Sequence, residues 1–148
     1  MSTPEIVPFS TTLRVRDHCL CLHVQRAARA LARRFDQALR PVGLTNGQFS
    51  LMMSLNRPHP PDMGSVASLL AMDRTTLTAA LKPLERRGLI NIIPDPSDRR
   101  SRRLSLTPEG KTLLAAAVPI WEQTHLEVEA LLPNRNPDPR RENLRSIS

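Results

Sequence analysis

The fold is decided by residues 84–110, LERRGLINIIPDPSDRRSRRLSLTPEG, in which helix, strand and turn signals follow one another without a gap. Gly88 comes directly after two arginines and predicts the end of a helix, because glycine readily adopts the left-handed conformation that closes one. Branched side chains at Leu89–Ile93 predict a strand, and Pro94–Asp98 has turn chemistry. Arg103–Thr107 alternates apolar and polar residues, so it predicts the returning strand of a hairpin.

Three short helices are predicted before this hairpin, and each begins at a residue suited to capping. Thr45 and Gln48 have the spacing of a capping box. Asp62 begins the next helix after the proline-rich loop at 56–61, and Asp73 begins the third. Three helices followed by a hairpin with a basic tip are the order of elements in a winged helix-turn-helix.

Long helices are predicted on both sides of this unit. Apolar side chains recur at steps of three and four from Leu20 to Ala38, which predicts one amphipathic helix that ends near Arg40. Another long helix begins at Thr107, and its apolar positions from Leu114 to Leu131 have near-heptad spacing. This face favours packing against a second subunit, although an intramolecular helical pair is the alternative. Bends are predicted at Pro83 and Pro119, and a last short helix at 140–147.

Composition limits the class of protein. The chain has 148 residues, 40% of them apolar, with 21 Lys+Arg against 14 Asp+Glu and a formal charge of +7. It has no apolar run long enough to span a membrane and no secretory signal, so we expect a cytoplasmic protein. Tyrosine is absent and aromatic residues make up 3% of the chain, which disfavours base stacking on RNA. A basic domain of this kind is expected to bind an anionic partner, most simply double-stranded DNA.

The charge is unevenly distributed. Seven arginines and two aspartates lie between Arg14 and Arg40, where solvation of a helix face is an equally good interpretation. Eight basic and four acidic residues lie between Asp73 and Arg103, where the charge coincides with the hairpin and the helix before it. That helix presents small donors and cations suited to base edges and phosphates in a major groove. These candidates for DNA contact are Arg74, Thr75, Thr76, Thr78 and Lys82.

Four motifs resemble the MarR family of transcriptional regulators. They are LAMDRTTLT at 70–78, LERRGLI at 84–90, DPSDRR at 95–100 and LSLTPEG at 104–110, and the hairpin motif is the most specific. The resemblance implies one MarR-type domain over 1–148, mainly α with a small β-hairpin wing. Within it, residues 45–107 would form the DNA-binding lobe, and 13–41 and 108–148 the dimerisation helices. It further implies a homodimer on a pseudo-palindromic operator, with repression more expected than activation.

The resemblance also implies roles at the hairpin, or wing. Asp98 and Arg100 match the wing motif, and Arg100 is the candidate for the minor groove, whose negative potential attracts arginine. Asp73 matches the family's acidic residue at the start of the recognition helix, and would pair with Arg100 and set the angle of the wing in addition to capping the helix. Arg99, Arg102 and Arg103 are expected to contact phosphates.

Family members often bind small aromatic or phenolic anions between the dimerisation helices and the winged helix. The matching positions here are Leu22, Phe49, Met52, Met53 and Trp121, with Arg16 and His18 as candidate anchors for an anion. The alternative is that most of these apolar residues belong to an ordinary core.

Other classes of site have little support. Cys19 and Cys21 lack the tyrosines that accompany the peroxide-sensing cysteine of one MarR branch, so we interpret them as small apolar residues, although a redox role stays open. No histidine or carboxylate spacing resembles a metal site, and there is neither a phosphate-binding glycine loop nor a nucleophile elbow. We therefore expect no enzyme activity, metal or cofactor. The alternative function is a basic nucleic-acid-binding or interaction module without gene-specific control.

Overall fold

The computed structural model describes residues 6–133 and 138–148, and the chain divides into two compact units, one up to Arg34 and one from Phe35 onward. Helix α1 comprises Phe9–His18 and α2 comprises Leu20–Leu39. The amphipathic helix predicted from Leu20 to near Arg40 is confirmed as α2, and Cys19, which separates it from α1, is extended, with φ −70° and ψ 108°. Neither glycine nor proline marks this break.

The short helices of the second unit begin where their caps predict. A 3-10 turn at Arg40–Val42 leads to α3 (Asn46–Leu55), α4 (Met63–Leu69) and α5 (Arg74–Arg86). The capping box at the start of α3 is complete, and aspartates at 62 and 73 accept the amide N–H groups that α4 and α5 leave unpaired in their first turns. All three predicted helix starts are confirmed.

The hairpin consists of β1 (Ile90–Pro94) and β2 (Arg102–Leu106), paired antiparallel with Ile90 opposite Leu106. Each strand lies within one residue of its predicted bounds. Gly88 has φ +71° and closes α5, as predicted. The N–H of Gly88 donates to the carbonyl of Glu85 and that of Leu89 to the carbonyl of Leu84, which is the Schellman pattern.

Helix α6 comprises Pro108–Ala130 and α7 comprises Asp138–Arg145, so the last helix begins two residues before its predicted start. The Thr107 hydroxyl caps α6 by accepting the N–H of Gly110. Pro83 and Pro119 lie inside α5 and α6, and neither proline ends its helix. No helix among the described residues is both long and apolar enough to cross a membrane.

The core of the second unit lies among α3, α5, the hairpin and the first half of α6. Its least exposed members are Leu39, Leu51, Met52, Val66, Leu77, Leu81, Leu84, Ile90 and Leu104. Not all of the near-heptad series in α6 is available to a second subunit, because Leu114, Ala117 and Thr124 are buried within their own unit. Only the later part of the helix leaves large apolar side chains in solvent, with Leu126 62% and Leu131 66% exposed.

Candidate nucleic-acid interface

The first turn of α5 is organised by Asp73. One oxygen of its carboxylate accepts the Thr76 N–H at 2.7 Å, and the other accepts the Thr76 hydroxyl at 2.9 Å. These hydrogen bonds hold the pKa of Asp73 below its ordinary value, the amide bond contributing most. Thr76 therefore has its hydroxyl committed to the cap.

An exposed polar face follows along the same helix. Arg74, Thr75, Thr78, Ala79 and Lys82 line a shallow depression of about 340 Å³. The Thr78 hydroxyl donates to the carbonyl of Arg74 at 2.8 Å, so Thr78 turns toward its own helix with its donor already used. Four of the five residues were predicted, and Ala79 was missed because a small apolar residue gives no chemical signal. Its spacing of four residues from Thr75 is the signal that places it on this face.

The wing tip carries three exposed arginines, Arg99, Arg100 and Arg102. The turn that presents them is held by Asp98, whose carboxylate accepts the Arg100 N–H at 3.0 Å and whose carbonyl accepts the Ser101 N–H at 3.0 Å. Local bonding of this kind is what aspartate supplies in turns. Asp98 thus stabilises the turn at the tip, and its role in positioning the wing on DNA stays a prediction.

A cleft of about 480 Å³ separates the wing tip from the start of α4. Arg74, Asp98, Arg100 and Arg102 are among its lining residues, so the recognition helix and the wing contribute cations to one concave surface. Asp62 and Ser65 also line the cleft and were missed as site residues, because their capping pattern already accounted for them.

The predicted ion pair between Asp73 and Arg100 is not formed. Both residues are described by the structure, yet no ion pair of its described residues joins them. Both oxygens of Asp73 accept hydrogen bonds from Thr76, so capping is the role of this residue in the free protein.

Arg103 is placed differently from the other wing arginines. Its Nε donates to Oδ2 of Asp95 at 2.8 Å, and its Nη1 donates to the carbonyl of Pro60 at 3.3 Å. Asp95 is only 7% exposed. The predicted phosphate contact needs a guanidinium whose donors are free, whereas this one, on a side chain that is 36% exposed, already donates to two protein acceptors. Sequence reasoning missed Asp95, which reads as an ordinary turn residue.

The residues predicted to bind an effector are divided between the two units. Arg16, His18 and Leu22 belong to the first unit, where the Arg16 guanidinium pairs with the neighbouring Asp17 at 2.8 Å. In the second unit Met52 is fully buried in the core. The interpretation as ordinary core is thus correct for Met52.

Phe49, Met53 and Trp121 do come together, and they line a cavity of about 380 Å³. The rings of Phe49 and Trp121 are stacked with centroids 6.2 Å apart, and Trp121 stacks on His125 at 4.9 Å. Four further lining residues were missed: Ser50, Ser54, Leu69 and Val118. Ser50 and Ser54 are four positions apart in α3, a spacing that places both on the same side of the helix.

Cys19 and Cys21 are free thiols, and Gln25 donates to the Cys21 sulfur at 3.3 Å. Among the residues that the structure describes, no group of three or more His, Cys, Asp or Glu side chains is arranged to hold a metal ion.

Helices α4 and α5, joined by a tight turn and followed by a hairpin with an arginine-rich tip, define a winged helix-turn-helix protein. A model of the MarR family matches residues 44–101 of the chain, which covers this unit from α3 into the wing. The chain belongs to the MarR family.

Three relatives illustrate the similarity. A Mycobacterium tuberculosis transcriptional regulator, MosR, solved in complex with DNA, is 37% identical over 86% of this chain and 92% of MosR, with a TM-score of 0.78. CouR from Rhodococcus jostii RHA1, solved with p-coumaroyl-CoA, is 26% identical over 84% of this chain and 87% of CouR, with a TM-score of 0.73.

The transcriptional activatory protein BadR of Rhodopseudomonas palustris is 30% identical over 95 residues, which cover 62% of this chain and 54% of BadR. The chain therefore spans about half the length of the curated relatives that it matches.

Proposed function

We propose that this protein is a sequence-specific DNA-binding transcriptional regulator that acts as a homodimer on a pseudo-palindromic operator. The observation that carries the proposal is the polar face of α5 beside a wing tip with three exposed arginines. Residues 45–107 would form the DNA-binding lobe. The similarity to MosR, which was solved with DNA, supports the same function.

In this proposal α5 enters the major groove. Arg74, Thr75 and Lys82 have side chains that can donate to base edges or phosphates, and Thr78 and Ala79 present methyl groups suited to apolar contact with thymine. Arg100 enters the neighbouring minor groove, where a narrow groove concentrates negative potential. Arg99 and Arg102 contact phosphates, which fixes the register of the protein without specifying sequence.

Dimerisation would use the segments 13–41 and 108–148. Large apolar side chains are exposed in the single chain just after α6, in α7 and just after α7: Leu131, Leu144 at 50% and Ile147 at 61%. Exposed apolar side chains of this kind suit an interaction surface, which a second copy would cover. Two-fold symmetry then places two recognition helices on half-sites about one helical turn apart.

We further propose that an aromatic or phenolic effector releases the DNA. The cavity beside Phe49 and Trp121 is lined by aromatic rings and by Ser50 and Ser54, a mixture suited to an aromatic ligand, although the Ser54 hydroxyl already donates to the carbonyl of Leu51. CouR, which was solved with p-coumaroyl-CoA, supports a ligand of this class. Release requires the ligand to prefer the conformation that cannot bind DNA. The regulator acts as a repressor, because occupying an operator blocks polymerase without any additional contact to it.

The test is selection of operator fragments from genomic DNA, followed by gel-shift titration against bulk DNA. A regulator is expected to prefer its operator by about 10³-fold or more. Arg100→Ala should abolish this preference while the protein stays folded, and Arg57→Ala, at an exposed position in the loop before α4, serves as a matched charge control. Salt-sensitive binding without sequence preference would indicate the basic interaction module instead.

The regulatory sign needs its own measurement. Transcription from the selected promoter in a purified system should fall when the protein is added and recover with the effector. A rise on addition of the protein would contradict repression and indicate activation, the activity named for BadR.

A further inference from the structure

A single buried carboxylate lies at the base of the wing tip. Residues 96–100 are exposed, whereas Asp95, which immediately precedes them, is 7% exposed. It follows the end of β1, close to Arg103 of β2, whose strand partner is Ile93. The guanidinium Nε of Arg103 and Oδ2 of Asp95 are 2.8 Å apart. A carboxylate shielded to this degree requires compensating donors, and the structure supplies them.

Both oxygens of Asp95 are used. Oδ2 accepts from Arg103, and Oδ1 accepts the Ser97 N–H at 2.9 Å and the Ser97 hydroxyl at 2.8 Å. The Asp95 N–H donates across the tip to the carbonyl of Ser101 at 3.0 Å. The bonds from Ser97, with a further contribution from Arg103, hold the pKa of Asp95 below its ordinary value, so the group is charged at neutral pH.

Arg103 connects the hairpin to the segment that precedes α4. Its Nη1 donates to the carbonyl of Pro60, and the next residue, Leu104, donates its N–H to the carbonyl of Pro61 at 2.9 Å. Arg103 also forms an isolated β-bridge with Asp62, the cap of α4. The planar guanidinium thus reaches two acceptors on different segments, a geometry that lysine cannot reproduce.

We infer that Asp95 and Arg103 are a positioning pair that fixes the wing relative to the helix-turn-helix, so that Arg99, Arg100 and Arg102 meet the operator in one orientation. This inference rests on the proposed function, because it concerns how that site is held. It assigns the Arg103 guanidinium to Asp95 and the carbonyl of Pro60 rather than to a phosphate, and it makes an acidic residue necessary for binding DNA.

Electrostatics alone predicts the opposite effect of removing the acid. Asp95→Asn deletes a negative charge beside DNA and would strengthen binding if charge were the only factor. Loss of the positioning pair weakens binding, because the wing loses its specific contacts. One good specific contact corresponds to about 5- to 150-fold in affinity. The sign of the change therefore distinguishes the two explanations.

The experiment measures operator affinity and its salt dependence for the full chain by fluorescence anisotropy. The variants are Asp95→Asn, Arg103→Gln, the double variant, and Arg99→Gln as the control for a phosphate contact. We expect Asp95→Asn and Arg103→Gln to bind less tightly, and the double variant to be no weaker than either single one. Arg99→Gln should lower the slope of log affinity against log salt by about one, whereas Arg103→Gln should leave it unchanged.

Equal or tighter binding by Asp95→Asn overturns the inference, as does a loss of about one in the salt slope of Arg103→Gln. Arg103→Lys covers the case in which Asp95→Asn does not fold, because it keeps the charge. A positioning role predicts weakened binding by Arg103→Lys, and a phosphate contact predicts affinity close to that of the original protein.

A measurement without DNA separates this inference from the proposed function. Hydrogen exchange at the amides of 97–104 should accelerate in Asp95→Asn while that of α3 stays unchanged, and unchanged exchange at 97–104 contradicts the pair. If the original protein shows no operator preference, the proposed function fails, and the exchange result still decides whether the pair holds the wing.

Discussion

Gly110, in the first turn of α6, lies against the backbone of Leu89 just before β1, and its replacement by alanine tests the packing of that junction. A Cβ at this position would lie 2.0 Å from the carbonyl oxygen of Leu89. An ordinary carbon–oxygen contact is about 3.3 Å or longer, so the helix and the strand would have to separate by more than about 1 Å. The same oxygen accepts the Thr107 N–H at 3.0 Å, and the Thr107 hydroxyl donates to Gly88 at 2.6 Å. Separation therefore strains two hydrogen bonds at the start of α6.

Opposing effects set the magnitude of the change in stability. Overpacking costs about 1–3 kcal/mol, and loss of one hydrogen bond adds about 0.5–1.5 kcal/mol. Alanine gains about 1 kcal/mol over glycine in helix propensity, which offsets part of this cost. The free energy of unfolding should therefore fall by about 2 kcal/mol, which corresponds to a thermal midpoint lower by about 4–8 °C for a chain of this size.

The assay is thermal unfolding followed by circular dichroism at one fixed protein concentration, since a dimer makes the midpoint depend on concentration. Gly47→Ala is the matched control, because Gly47 lies in helix α3 and a Cβ there meets nothing within 4 Å. It gains the same helix propensity without a clash, so its midpoint should be unchanged or higher. If Gly110→Ala is as stable as the original protein, or changes in the same direction as the control, the argument from close approach is refuted.

Three further outcomes are expected. The free energy of unfolding in urea should fall as the pH drops below about 4, because Asp36, Asp62, Asp73 and Asp95 have a lowered pKa in the folded state. Such carboxylates stabilise the fold at a pH above their unfolded pKa and lose that contribution when they are protonated. Equal stability at pH 3 and pH 7 would contradict this. An aromatic acid or thioester that enters the cavity should quench the fluorescence of Trp121, the only tryptophan of the chain, and Phe49→Ala should weaken that titration. Arg87→Ala should lower the free energy of unfolding by about 0.5–1.5 kcal/mol, because its guanidinium donates to the carbonyl of Gly43 at 2.9 Å; an unchanged urea midpoint would show that this bond is not stabilising.

Local chemistry explains which parts of the fold were predictable from sequence. The caps at Thr45, Asp62 and Asp73 act within three residues, so their patterns reveal the helix starts directly. Gly88 likewise acts through its own backbone angle. Helix α1 was not predicted as a separate helix, because neither glycine nor proline stands between it and α2.

In the candidate site, too, the residues identified by local sequence signals were predictable and the tertiary contacts were not. Exposed residues of α5 and the wing tip were predictable because charge and helical period identify them without knowledge of tertiary structure. The partners of Arg103 and Asp73 were not, because a run of four arginines in six residues gives no indication of which side chain turns inward. That choice depends on where the loop before α4 places the carbonyl of Pro60, 43 residues away in the chain.

The acidic residues of this basic surface have a common use that net charge conceals. The carboxylates of Asp95 and Asp98 each accept an amide N–H two residues ahead, and those of Asp62 and Asp73 accept one three residues ahead. A carboxylate that accepts such an amide hydrogen bond stabilises a turn or a helix start. This structural effect accompanies the repulsion between the carboxylate and DNA. The net charge of the surface therefore does not describe the role of these aspartates, because their hydrogen bonds fix the backbone that carries the arginines. The surface is expected to lose sequence preference when such a carboxylate is neutralised, even though its net positive charge rises.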